Sequence, residues 1–425
     1  MKRARLLAVA FLAGVAAITA GQAALAQGNP PGATRPEAGA EEARLRQLID
    51  EFTRGAVDLD AMEPDLRRAV EPVAGQTGAL LRGLGALKSV TPLGTQSGLS
   101  VFRASFERGA LIFGLRVAPS GKLAALVYRP QPVAETRGEE VTTAGLAGTL
   151  LKPANVEKPP VVLLIAGSGP TDRNGDQGGA GPGSLRQLAE ALAERGISTL
   201  RFDKRGIGRS VTQMREDQVD FDAFVNDADA WLKFLAARND LGAHYVAGHS
   251  EGGLIGIRLA RREPLAGLIL LATPGRRLSD MLREQLSETL PQPLRDEAFT
   301  AIAALERGET VTQVSAPLMP LLRPSVQPFL RSEMAMDPAA ELMQVRLPTL
   351  IVSGGHDLQV TAADAQALAQ ARPDARRFDA PEMNHTLKAT PAARAEQQAA
   401  YTDPRLPLMA GLADAIAAFV KGAAK

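Results

Sequence analysis

The chain has 425 residues, a net charge of +1, and 45% hydrophobic against 22% charged residues. It is long enough for two domains with a sizeable core, and its charge makes no case for nucleic acid or an acidic partner. Cysteine is absent, which excludes disulfides, thiolate metal sites and a cysteine nucleophile. The four histidines show no H-x-x-x-H or H-E-x-x-H spacing, and no Walker or G-x-G-x-x-G loop joins a strand to a helix, so no metal and no nucleotide cofactor is expected.

Residues 1–26 read as a signal peptide. Lys2, Arg3 and Arg5 form a basic region, Leu6 to Ala20 an apolar one, and Ala24-Leu25-Ala26 a small-x-small cleavage site. The alternative is an uncleaved anchor, but the apolar run is short for a bilayer span of about 20 residues. A periplasmic or secreted protein is expected, with no stable membrane insertion after cleavage. Residues 27–40, rich in Pro, Gly and Ala, read as a disordered leader.

Residues 41–130 form a first module. Leu45, Leu48, Ile49 and Phe52 share a helical face. Three strand-like runs, Leu99 to Phe106, Ala110 to Val117 and Leu123 to Tyr128, are separated by turn residues, which predicts a small α+β domain ending in an antiparallel meander. The module holds no histidine and reads as an accessory domain. An unpaired outer strand would offer an edge to a second copy, so a homo-oligomer is the favoured expectation. Residues 131–141 read as a linker, and the adjacent acids Glu41-Glu42 and Glu139-Glu140 as solvated.

Strands and helices alternate through 142–425, which predicts a mostly parallel sheet flanked by helices. Thr142 to Leu151 is expected as one strand, Val161 to Ala166 as the next, followed by a Gly-rich loop to Gly183. A helix at Ser184 to Arg195, a strand at Ile197 to Phe202 and a helix at Phe221 to Arg238 lead to His244-Tyr245-Val246-Ala247, a short apolar strand. Leu265 to Leu271 is another strand. Residues 276–345 are helical and proline-broken, placed where a cap would be inserted. Strand signals resume at Pro348 to Ser353 and Arg376 to Asp379, and Leu408 to Lys421 closes the chain as a helix.

The chemistry centres on Gly248-His249-Ser250-Glu251-Gly252, a G-x-S-x-G turn between a strand and a helix. Such a turn holds its serine hydroxyl exposed and leaves its flanking positions little room for anything but glycine. A serine nucleophile needs a base and an acid that orients it. Asp357, just past a strand end in Ser353-Gly354-Gly355-His356-Asp357, is the acid; Asp364, in a helix, and Asp374, just before a strand, are the alternatives. Among the histidines, His249 is held in the tight turn, His244 begins a strand and His356 abuts the acid. That leaves His385, in the loop after the last predicted strand, as the base. Two backbone N–H donors should face the developing oxyanion: that of Glu251, and one from the loop after Ala166, either Ser168 or Gly169, since Pro170 has no N–H. The Glu251 side chain opens a helix, where a carboxylate favours the positive end of the dipole.

With these residues in view, 142–421 resemble the α/β-hydrolase superfamily of serine esterases and peptidases. The matching motifs are the Ser250 turn, Asp203-Lys204-Arg205-Gly206-Ile207-Gly208-Arg209-Ser210, the Asp357 loop and Asn384-His385. The order Ser250, Asp357, His385 is the one that fold uses. Gly167-Ser168-Gly169-Pro170-Thr171-Asp172-Arg173-Asn174-Gly175 looks like a group of bacterial carboxylesterases with a small N-terminal domain. Many members carry His-Gly at the oxyanion loop, where this chain has Ala166-Gly167. The resemblance implies an α/β-hydrolase fold with a helical cap, no cofactor, and cleavage of small-molecule carboxylic esters through an acyl-enzyme on Ser250. Peptidase or amidase activity on the same fold is the alternative, because both pass through the same tetrahedral intermediate. A non-catalytic binding protein is disfavoured by the complete set of nucleophile, acid and base. A further expectation is that the apolar side chains of 276–345 roof an apolar Ser250 pocket.

Overall fold

A computed structural model describes residues 38–422 apart from 97, 108, 131–136, 178–180, 213, 394–395, 398–399 and 402. The expected signal peptide and most of the leader lie outside the described residues. Two compact units emerge, one within residues 38–130 and the other built chiefly from 137–422. Among the described residues no helix is long and apolar enough to cross a membrane.

The first unit packs helices α1 (Ala38–Arg54), α2 (Pro64–Val70) and α3 (Ala74–Leu84) with an antiparallel sheet. The sheet runs β1 (Leu87–Gln96), β2 (Leu99–Phe106), β3 (Ala110–Val117), β4 (Leu123–Pro130) in that order. Leu45, Leu48, Ile49 and Phe52 of α1 are buried in one core with Phe102, Leu111, Phe113 and Leu115. β1 escaped the sequence reading because Pro92 and Gly94 interrupt its pattern. It is an edge strand whose register slips between those two residues, where a proline is tolerated. Helix α1 begins three residues inside the expected leader. Glu41, expected to be solvated, is buried and accepts a hydrogen bond from the Ser100 hydroxyl.

The second unit is an eight-stranded sheet in the order β12-β11-β10-β9-β7-β8-β6-β5. Its strands are β5 (Glu139–Thr143), β6 (Leu146–Leu151), β7 (Val161–Ile165), β8 (Ser198–Phe202), β9 (His244–His249), β10 (Gly267–Leu271), β11 (Thr349–Gly354) and β12 (Arg376–Ala380). All pairings from β8 through β12 are parallel, while β5 and β6 are antiparallel. The run expected as one strand from Thr142 is thus a hairpin, turned at Ala144 (φ 49°) and Gly145 (φ 78°). It starts at Glu139, so Glu139 and Glu140 sit in a strand instead of a linker; both stay exposed, as expected, and pair with Arg238 and Arg173.

Helices α4 (Ser184–Glu194), α5 (Phe221–Ala236), α6 (Glu251–Ala260), α7 (Leu278–Thr289), α8 (Gln292–Glu306), α9 (Met319–Leu322), α10 (Gln327–Met334), α11 (Pro338–Leu342), α12 (Ala362–Ala371) and α13 (Leu412–Gly422) complete the unit. The central strands β7 and β10 are apolar throughout because both faces are covered, whereas the edge strands β5 and β12 carry charged, exposed residues. On β7, Val161, Leu163 and Ile165 join the core under α5, α6 and α12, while Val162 and Leu164 join the one under α4 and α13. The last helix starts at Leu412 because Leu408 bridges to Lys388. α7 to α10 hold a core of their own, including Leu286, Ile302, Leu322 and Leu330.

Candidate active site

β9 lies between β7 and β10 in the middle of the sheet, and its C-terminal end turns straight into α6. The turn residue is Ser250, with φ 53° and ψ −124°, a backbone conformation that strains a residue bearing a Cβ by roughly 1–3 kcal/mol. Neighbouring backbone holds it there: Ser250 N–H donates to Leu271 O at 2.8 Å, and Gly253 N–H donates to Ser250 O at 2.9 Å. A Cβ on Gly248 would fall 2.0 Å from Gly252 O, and one on Gly252 would fall 2.3 Å from Ile165 O. Both glycines of the motif are therefore steric requirements of the turn.

Asp357 follows β11 and His385 follows β12, and backbone bonds tie the two loops together. Gly355 N–H donates to Ala380 O and His356 N–H to Met383 O, each at 3.0 Å. Asn384 Oδ1 then accepts from the N–H groups of Thr386 and Lys388 at 3.0 and 3.1 Å, which shapes the histidine loop. Asp357 Oδ1 accepts the N–H groups of Gln359 and Val360 at 2.8 and 2.9 Å, and its Oδ2 faces His385 Nδ1 at 2.8 Å. A carboxylate only accepts, so Nδ1 carries the proton and Nε2 presents a lone pair. Of the three aspartates considered, only Asp357 meets a histidine among the described contacts. Asp364 is buried, caps α12 and binds Arg276 at 2.9 Å, and the exposed Asp374 pairs with the buried Arg372.

The other histidines are engaged elsewhere. His356 Nδ1 lies 2.6 Å from Thr390 O. His249, beside Ser250, places Nε2 2.7 Å from the backbone carbonyl of His385, and the two rings are 4.9 Å apart between centroids. Burial, then the neighbouring His385, push the His249 imidazole down to about 4, so it stays neutral.

The glycine-rich loop after β7 passes directly over the serine. A Cβ on Gly167 would lie 3.1 Å from Ser250 Cβ, and Ser168 lines the same pocket as Ser250 and Glu251. The loop is anchored by a pair that the sequence reading missed. Arg173 donates to both carboxylate oxygens of Asp203, at 3.1 and 2.7 Å, and to Glu140 at 2.7 Å. The two motifs that carry Arg173 and Asp203 lie 30 residues apart, and no local pattern couples them.

The pocket opens to solvent. Leu278, Met281 and Leu282 of α7 contribute to its wall, as expected of a cap. Most of the wall is apolar, as expected, although Glu251, Arg276, Gln285, Glu333 and Gln359 share it. Most of the other apolar residues expected in the roof are spent inside the cap, as with Leu321 and Leu330, or under the sheet, as with Met336. The Glu251 side chain does more than open α6: its Oε1 accepts from Lys204 Nζ at 2.8 Å, with both side chains buried.

A central parallel strand that turns through a strained serine into a helix, with acid and histidine on the loops after the two final strands, is the architecture of the α/β-hydrolases. The chain has the α/β-hydrolase fold. More narrowly, residues 181–389 match the family described as "Serine aminopeptidase, S33", a span that contains Ser250, Asp357 and His385. The chain is 27% identical over 280 residues to "Esterase EstD" of Thermotoga maritima. That match covers 62% of this chain and 65% of EstD, so the chain spans less than two thirds of its relative. Among solved structures, Est1E of Butyrivibrio proteoclasticus bound to ferulic acid is 18% identical, with a TM-score of 0.44 over 67% of this chain and 97% of that one. Proline iminopeptidase of Mycobacterium smegmatis is 17% identical, with a TM-score of 0.42 over 67% and 98%.

Proposed function

We propose that the protein is a serine hydrolase that cleaves carboxylic esters of small molecules through an acyl-enzyme on Ser250. The observation that carries this reading is the 2.8 Å contact between His385 Nδ1 and Asp357 Oδ2 beside the Ser250 turn. With Nδ1–H given to Asp357, His385 Nε2 takes the proton of Ser250 Oγ as the oxygen attacks the ester carbonyl. The backbone N–H groups of Glu251 and Ser168 stabilise the resulting oxyanion, each such donor being worth about 10²–10³ in rate. His385 then returns the proton to the departing alcohol, and water repeats the sequence to release the acid. The similarity to an esterase supports the ester reading. The basic and apolar N-terminal residues support a periplasmic or secreted location, and self-pairing through the first unit stands as part of the same reading.

The test is a panel of short-chain nitrophenyl esters and aminoacyl nitroanilides, with a serine-reactive phosphonate as active-site label. Ester turnover abolished by the phosphonate and by Ser250→Ala supports the proposal. Turnover of the anilides in preference to the esters would replace it with the peptidase reading, and no turnover of either, with no label on Ser250, would leave a binding protein.

A further inference from the structure

The Ser250 pocket contains two carboxyl groups that the chemistry just described does not use. Glu251, at the start of α6, spends Oε1 on Lys204, while its Oε2 is buried without a hydrogen-bond partner among the described residues. Glu333, on cap helix α10, is 4% exposed, and its Oε2 is likewise buried and unpartnered. Both residues line the pocket that holds Ser250. Leaving a buried polar atom unsatisfied costs about 1–3 kcal/mol, more for a charged group, so two such atoms from separate elements at one pocket need a reason.

Resting on the ester-hydrolase reading, we propose that Glu251 and Glu333 form a polar subsite beside Ser250 that binds a hydroxyl group of the substrate, making the preferred substrates hydroxylated esters. Charge decides between a hydroxyl and a cation. Lys204 balances Glu251, and its ammonium is also held 4.9 Å above the Phe224 ring. Arg276, which does line the pocket, is engaged by Asp364 and Glu284. Burial first, then the Glu251 charge, hold the Glu333 carboxyl well above the usual range, with Lys204 opposing. Glu333 thus keeps its proton far above the pH at which an exposed glutamate loses it. In that form Lys204, Glu251 and Glu333 sum to zero charge, with no surplus to attract a cation. They offer one acceptor, the Glu251 carboxylate, and one donor, the Glu333 acid. A hydroxyl donates to the first and accepts from the second. Gln285 and Gln359 do not compete for this role, because Gln285 donates to Gln359 O and Gln359 to Tyr401.

The test uses the full chain and paired esters: nitrophenyl 3-hydroxybutanoate, butanoate and 3-aminobutanoate, and glyceryl against propyl butanoate. A site built to bond a hydroxyl rejects the analogue that lacks it by factors reaching 10⁴. The expected result is a kcat/KM preference of about 10²-fold for the hydroxylated member of at least one pair. Glu333→Met should collapse that ratio and Glu333→Gln, which keeps a donor and an acceptor, should retain most of it, both variants still taking up phosphonate at Ser250. No hydroxyl preference in the wild-type protein overturns the subsite, as does a preference for the aminobutanoate, or a hydroxyl preference that survives Glu333→Met. If Glu333→Met fails to fold, loss of the ratio in Glu333→Gln also counts against it, because that side chain can still bond the hydroxyl. Failure of the underlying reading looks different: no plain ester is turned over and Ser250 is not labelled.

Discussion

His249 Nε2 lies 2.7 Å from the carbonyl oxygen of His385, and since a carbonyl only accepts, His249 is the donor. The residue next to the candidate nucleophile therefore grips the backbone of the candidate base. Replacing His249 with Phe keeps a ring but removes the donor, leaving the His385 carbonyl without this partner and its ring free to shift. Small misplacements of a reacting group cost up to ~10²-fold. We expect kcat to fall by about 10- to 100-fold while Ser250 still reacts with phosphonate. An unchanged kcat would show that the contact positions nothing.

The same histidine predicts a pH dependence of stability. Its folded value lies near 4 against an ordinary 6.5, so between those values the unfolded chain binds a proton that the folded chain refuses. Its contribution therefore weakens the fold as the pH drops from 6.5 towards 4, by up to about 1.4 kcal/mol per pH unit, and is absent above 6.5. Urea unfolding of the parent and of His249→Phe across that window checks this. The difference between the two curves should change with pH below 6.5 and stay flat above it.

Ser250→Ala, Asp357→Asn and His385→Ala should each remove most ester turnover, the first by about 10⁴-fold or more, and the losses should not add because the groups act as a unit. Circular dichroism should show each variant folded. Activity of Ser250→Ala within about tenfold of the parent would falsify the assignment.

Arg173 and Asp203 form a buried pair that anchors the loop over Ser250. Asp203→Ala removes the buried carboxylate partner of the guanidinium, leaving it Glu140 and Thr149, and should destabilise the fold by about 3 kcal/mol. Removing both charges, in Arg173→Met with Asp203→Leu, should restore much of that stability without restoring ester turnover, because the loop loses its anchor. Denaturant midpoints and kcat/KM for the single and double variants separate the two effects.

A chain beginning at Arg137 retains the whole eight-stranded sheet and its own cores. It should fold, label with phosphonate and hydrolyse nitrophenyl esters, at lower oligomeric order than the full chain. Should it fold by circular dichroism yet refuse label and ester, the first unit takes part in the site.

The sequence by itself determined the sheet class and the candidate residues, because each rests on a local signal. Short apolar runs mark strands buried on both faces, the Ser250 turn is written in glycines that cannot accept a Cβ, and Asp357 and His385 follow strand ends. It misread β1, whose Pro92 and Gly94 hide an edge strand, and the β5–β6 hairpin, whose turn falls at Ala144-Gly145. Only the tertiary structure decided what meets what. His249 lies 136 residues from the carbonyl it holds, Arg173 lies 30 from Asp203, and Lys204 lies 47 from Glu251. The assignment of Glu41 to solvent failed for the same reason. A charged side chain in isolation belongs in water, and whether it can be buried depends on a partner that only the folded chain brings within hydrogen-bonding distance.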